Sequence, residues 1–154
     1  MPDSDELIDL ERLSPEENLE LLQFGRIGRV GFVADGVPHV LPVNYRADDQ
    51  GTIVFRTTPA STLNAVAGAR VAFEVDGFDE RLQTGWSVCV GGRGQEITGL
   101  DDPTAQRLQR LSVVTWAPGR RERWFAITPD VITGRRLPLK ATASDFGWMP
   151  GIVG

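Results

Sequence analysis

The chain has one cysteine, one histidine and one lysine in 154 residues, and each scarcity closes off a class of function. With Cys89 alone, the chain can form no internal disulfide and build no thiolate metal cluster of its own. With His39 alone, multi-histidine metal sites fall away, and Ser-His-Asp chemistry survives only if His39 is its base. No Asp/Glu spacing resembles a metal-binding loop, so no metal site is expected. No apolar run approaches the ~20 residues that cross a bilayer, and the N-terminus is acidic, unlike a secretory leader. Positive charge is not in excess either. The 16 Lys+Arg stand against 21 Asp+Glu, and a formal net charge of −5 speaks against nonspecific binding to nucleic acid. The expectation is one cytoplasmic domain with neither membrane nor nucleic acid as partner, burying roughly 68–70% of its unfolded surface.

What the chain does have is arginine, fifteen against the single Lys140. Genomic base composition is the simplest cause, but the planar guanidinium also suits phosphate and carboxylate recognition.

Residues 1–11 read as an acidic arm. Ser14-Pro15-Glu16-Glu17 is a helix start: Ser14 caps, Pro15 sits where its missing N–H costs nothing, and Glu17 occupies the capping-box position. Leu19 and Leu22 form the apolar stripe, and Gly25 is the expected stop. The pattern then turns to β. Arg26 to Ala34 and Val37 to Tyr45 flank Asp35-Gly36, a two-residue turn of the type I′ hairpin kind. A strand from Thr52 to Arg56 precedes an Ala-rich helix over Ser61 to Ala69. Arg70 to Asp76 alternates, with Val71, Phe73 and Val75 on one face. Gln83 to Thr98 is a long strand whose Gly91, Gly92 and Gly94 mark a bulge or bend. A second capped helix opens at Asp102-Pro103 with Leu108 and Leu111 inward, and a last strand from Arg123 to Thr133 is interrupted at Pro129. Six or so short strands that do not alternate strictly with helices predict a mainly β (α+β) fold, a small antiparallel barrel with short flanking helices.

Most chemistry-bearing residues have a plain structural reading. Gly91-Gly92-Arg93-Gly94 lacks dinucleotide-motif spacing and no helix follows it, so a strand bend accounts for it. Cys89 reads as a small core residue and His39 as a packed or exposed strand histidine. The segment from Phe55 to Leu63 stands above this background. Arg56 is followed by Thr57, Thr58, Ser61 and Thr62, a charged fork and four hydroxyls of the kind that cradle a phosphate. An ordinary helix cap at Ser61 or Thr62, with Arg56 in a surface ion pair, explains the same residues equally well.

The order Ser14-Pro15-Glu16-Glu17, Gly25-Arg26-Ile27-Gly28-Arg29-Val30, Asp35-Gly36-x-Pro38 and Pro42-Val43-Asn44-Tyr45 resembles the pyridoxamine 5′-phosphate oxidase-like flavin-binding split-barrel family. Val54-Phe55-Arg56-Thr57, Val71 to Asp76, Gly85-Trp86-Ser87-Val88, Trp116-Ala117-Pro118-Gly119 and Ile132-Thr133-Gly134-Arg135-Arg136 extend the likeness to its small actinobacterial-type members. The resemblance covers residues 12–136 as one domain and leaves 137–154 as an irregular tail.

It implies an antiparallel split β-barrel that forms a homodimer with flavin mononucleotide (FMN) between the subunits. It also implies a flavin-dependent oxidoreductase acting on a small-molecule substrate. Arg56, Thr57, Thr58, Ser61 and Thr62 would surround the phosphate. Val43, Asn44 and Tyr45 would face the ring, and Trp86 and Ser87 would approach from its other side or from the partner. Trp116 is the candidate for the substrate pocket, and Trp148 for a cover over the site. Tyr45 and bound water are the available proton donors.

Many flavin-binding relatives carry lysine where this chain has Thr62, in the pattern Arg-Thr-x-x-x-Ser-Lys. Losing that ammonium removes a contact of roughly 1.5–3 kcal/mol, about ten- to hundredfold in affinity. Two alternatives follow: the deazaflavin coenzyme F-420 on the same fold, or a non-catalytic ligand-binding barrel. A single histidine speaks against histidine-ligated haem.

Overall fold

The computed structural model describes residues 10–137. The arm before residue 10, Lys140, Trp148 and the rest of the tail lie outside the described residues.

Strands β1 (Glu11–Arg12), β2 (Ile27–Ala34), β3 (Val37–Ala47), β4 (Ile53–Thr57), β5 (Arg70–Asp79), β6 (Thr84–Glu96) and β7 (Arg123–Leu137) form one antiparallel sheet. Its order is β1-β7-β4-β3-β2-β5-β6, and β6 pairs back onto β7, so six strands close into a barrel with β1 attached outside. Closure pairs the edges of the six barrel strands, which would otherwise offer unpaired N–H and C=O groups to other chains. The expected antiparallel barrel is the fold.

Helix α1 (Pro15–Phe24) starts as its sequence dictates. Ser14 Oγ accepts from the Glu17 N–H at 3.1 Å, and Glu17 Oε1 accepts from the Ser14 N–H at 3.3 Å. The helix stops at Gly25, but not through a left-handed turn, since φ there is −64°. Glycine is needed because a Cβ would run into the Tyr45 hydroxyl, and Arg26 Nη1 closes the end by donating to the carbonyls of Gln23, Phe24 and Gly25. The β2–β3 hairpin turns on Asp35 (φ 51°) and Gly36 (φ 74°), as a type I′ turn requires.

Alternation fills the barrel. Val71, Phe73 and Val75 point inward from β5, and Phe73 meets Tyr45 edge-on at 4.7 Å between centroids. Phe55 and Phe125, from paired strands β4 and β7, stack at 5.6 Å. Leu22 of α1 closes one end, and Leu63 and Val66 of a short 3-10 helix (Thr62–Val66) are buried in the same core. A smaller cluster lies outside the barrel wall. Val54 and Ala126 pack there under Ala105 and Leu108 of α2 (Pro103–Gln109).

Three expectations need correction. The helix expected over Ser61 to Ala69 is only the 3-10 turn, because β-branched Thr62 and Val66 disfavour it and Gly68 at φ 74° ends it. The last strand, expected from Arg123 to Thr133, runs on to Leu137, with the expected interruption at Pro129 present as a bulge. Gly91 pairs with Val131 and Gly92 with Pro129, so Asp130 bulges out where proline has no N–H for the ladder. Cys89 is exposed, since the inward positions of β6 belong to Val88 and Val90.

Candidate functional site

The segment from Arg56 to Thr62 follows from strand alternation. Ile53 and Phe55 point into the barrel, and Val54 and Arg56 point out. The Arg56 guanidinium lies over the Trp124 ring, 4.8 Å from its centroid. Its Nε donates to the Arg121 carbonyl at 3.0 Å and its Nη1 to the Val113 carbonyl at 3.4 Å. Arg56 therefore fastens the connection between α2 and β7 to the outside of the wall, and it forms no ion pair among the described residues.

Thr57 has the opposite parity. It is fully buried at the end of β4, and its Oγ1 has no hydrogen-bond partner among the described residues. Ser61 Oγ accepts from the Leu63 N–H at 3.1 Å and so caps the 3-10 turn, while Thr58 is half-buried and Thr62 exposed. The loop is held by a residue that sequence reasoning passed over. Asn64 Nδ2 donates to the carbonyls of Thr58, Pro59 and Ser61 at 2.7–3.2 Å, and its Oδ1 accepts from Arg123 Nη1 at 3.3 Å. The only sequence signal for this was a run of hydroxyl and proline residues whose carbonyls lack donors of their own. Arg123 Nη1 also lies 3.8 Å from Glu96 Oε1.

On β3, Val43 and Tyr45 belong to the core and only Asn44 faces outward. The Tyr45 hydroxyl donates to the Leu22 carbonyl at 2.7 Å, and burial pushes its pKa far up. A phenol so committed is a structural anchor, which removes it from the proton donors. Asn44 Oδ1 accepts from the Trp116 N–H at 2.9 Å, while the Trp116 side chain is 72% exposed.

Trp86 and Ser87 lie elsewhere. Trp86 borders a cleft of about 580 Å³ between the end of α1 and the β5–β6 hairpin, together with Arg26, Ile27, Phe78 and Leu137. Gly77 lies flat against the indole, so that a Cβ there would come within 2.7 Å of Nε1. Thr57 pairs with Arg123 and Trp86 pairs with Arg136, which is thirteen positions along the same strand from residue 123 to residue 136. At ~3.3 Å per residue this is on the order of 40 Å of strand. The phosphate-side candidates and the Trp86–Ser87 pair thus occupy opposite ends of one barrel.

A half-buried acid lies on the outer face of β5. Burial, then neighbouring Asp76, raises the Glu74 pKa, while Arg29 at 3.7 Å opposes the shift. Among the described residues no group of three or more His, Cys, Asp or Glu could hold a metal ion, and no helix is long and apolar enough to cross a membrane.

Comparison with known proteins agrees with the fold. Residues 14–136 match the family model described as pyridoxamine 5′-phosphate oxidase. An uncharacterized protein of Mycobacterium tuberculosis is 35% identical over 138 residues, 86% of each chain. The FAD binding protein from Mycobacterium smegmatis superposes with a TM-score of 0.69 at 28% identity, covering 83% of this chain and 100% of that one. An FAD-binding protein from Mesorhizobium loti gives a TM-score of 0.66 at 26% identity, over 84% and 99% of the two chains.

Proposed function

The chain belongs to the pyridoxamine 5′-phosphate oxidase family, and from that premise we propose that it is a flavin-dependent oxidoreductase. It acts on a small-molecule substrate as a homodimer with the flavin between subunits. The observation that carries this reading is the separation of the candidate residues to opposite barrel ends. A two-fold axis that sets the loop end of one protomer against the Trp86 end of the other completes two equivalent sites, as an isologous dimer requires. FAD binding by the M. smegmatis and M. loti proteins supports a flavin nucleotide as the ligand.

The residues present fit such a group. A buried hydroxyl without a partner lies beneath the loop, and an arginine stands beside Asn64. The loop from Thr57 to Thr62 holds the phosphate. Asn44, fixed by the Trp116 N–H, offers a polar edge to the ring, and Trp86 of the partner walls it from water. When bound, the flavin supplies hydride transfer, and the protein supplies anchoring, orientation and a dry pocket. Tyr45 takes no part in proton transfer, so water or the substrate carries the proton.

F-420 is the second reading, favoured by the absence of a cation at position 62. Titration of cofactor-free protein with FMN, FAD and F-420, followed by fluorescence, separates the readings. Submicromolar binding of FMN or FAD supports the first and of F-420 the second. If none binds below about a hundred micromolar, the chain is a ligand-binding or purely dimeric barrel.

A further inference from the structure

We infer that Arg123 supplies the phosphate-binding cation that position 62 lacks; the inference rests on the flavin reading above. Strand parity separates Arg56 from the loop. Adjacent residues of a strand face opposite sides, and the Arg56 guanidinium is spent on the Arg121 and Val113 carbonyls and on Trp124. Arg123 is the direct cross-strand neighbour of Thr57. Paired residues share a face with Cβ atoms roughly 4.5–5.5 Å apart, so Arg123 and the unpartnered Thr57 hydroxyl lie side by side beneath the loop. From there Arg123 Nη1 reaches Asn64, whose amide organises the carbonyls of Thr58, Pro59 and Ser61. The guanidinium of a half-buried arginine on β7 thus comes to the same loop that a lysine at position 62 would serve.

The competing acid is Glu96, 3.8 Å from Arg123 and also the acceptor of the Thr98 hydroxyl at 3.0 Å. At that distance it leaves most of the five guanidinium N–H donors for a phosphate, which takes two of them in a forked pair. Thr57 Oγ1 is sealed in the described conformation, and a phosphate that lifts the loop gives it a partner.

The test compares FMN with riboflavin, which differ only in the phosphate, on the full-length protein. Wild type prefers FMN. Arg123→Ala lowers that preference by about tenfold or more while leaving riboflavin affinity and thermal stability nearly unchanged. Adding Thr62→Lys to Arg123→Ala restores it, Glu96→Gln raises it, and Thr57→Val lowers it without destabilising the unliganded protein. Equal loss of FMN and riboflavin in Arg123→Ala makes Arg123 a structural residue and overturns the inference while the flavin reading stands. Loss of the preference in Arg56→Ala instead also overturns it, since Arg56 would then leave its carbonyls for the phosphate. A wild type that binds none of FMN, FAD and riboflavin overturns the functional reading itself, and the inference with it.

Discussion

The backbone N–H of Trp116 donates to Oδ1 of Asn44 at 2.9 Å, joining an exposed connection to the outer face of β3 across 72 positions of sequence. With the Arg56 bonds to the Arg121 and Val113 carbonyls, it holds residues 113–121 against the barrel wall. Val113 is buried in the outer apolar cluster at the start of the connection, while Val114 and Trp116 stand exposed. Beyond Val113, side-chain-to-backbone bonds help set its position.

Removing the Asn44 acceptor loosens that connection. Asn44→Ala is expected to speed hydrogen exchange at the Trp116 amide by roughly two- to tenfold, the range of one net hydrogen bond. Asn44→Asp keeps the acceptor and leaves exchange close to wild type. Equal exchange in all three proteins would show that the bond contributes nothing.

Tyr45 makes the fold sensitive to alkali. Burial raises its pKa above the ordinary 10.0, so the unfolded chain releases the proton first as pH rises. The stabilisation is complete below about pH 10 and is lost as pH climbs toward the folded value. Tyr45→Phe abolishes this part of the pH dependence. It also costs about 1–3 kcal/mol at neutral pH, because the Leu22 carbonyl loses its donor in a buried setting. Denaturant melts at pH 7 and pH 10.5 read both effects.

Gly77 protects the position of Trp86. A methyl group there meets the indole nitrogen, and the ring must swing into the cleft. Gly77→Ala is expected to cost about 1–3 kcal/mol and to shift tryptophan emission. It also weakens flavin binding through the partner's site. Unchanged emission and binding would show that the indole has room to adapt.

Much of the fold was legible because it rests on local rules. The Ser14–Glu17 capping box, the Asp35-Gly36 turn and the alternation of Val71, Phe73 and Val75 each need only neighbouring residues. The Gly91–Gly92 bend was legible too, but not that the extra residue would be Asp130, since a bulge belongs to the register of two strands. Cys89 was misread for a similar reason: it sits among apolar neighbours in sequence, yet parity turns it outward. The candidate site was less legible. Arg56 finds its carbonyl acceptor 65 positions away and Arg123 finds Asn64 at a distance of 59, and no local pattern encodes such partners. The segment from Phe55 to Leu63 left a phosphate cradle and a helix cap equally open. Ser61 is the cap, and the hydroxyl without a partner is Thr57.

The composite site is tested most directly by complementation. Trp86→Ala damages one barrel end and Thr62→Glu sets a repelling carboxylate at the other, so each homodimer has two defective sites. Dissociated and re-associated together, the two variants form mixed dimers in which one site carries both defects and the other neither. The account predicts that FMN titration of the mixture recovers wild-type affinity at about a quarter of all sites under random pairing. Mixed dimers that form and recover no tight binding would contradict it.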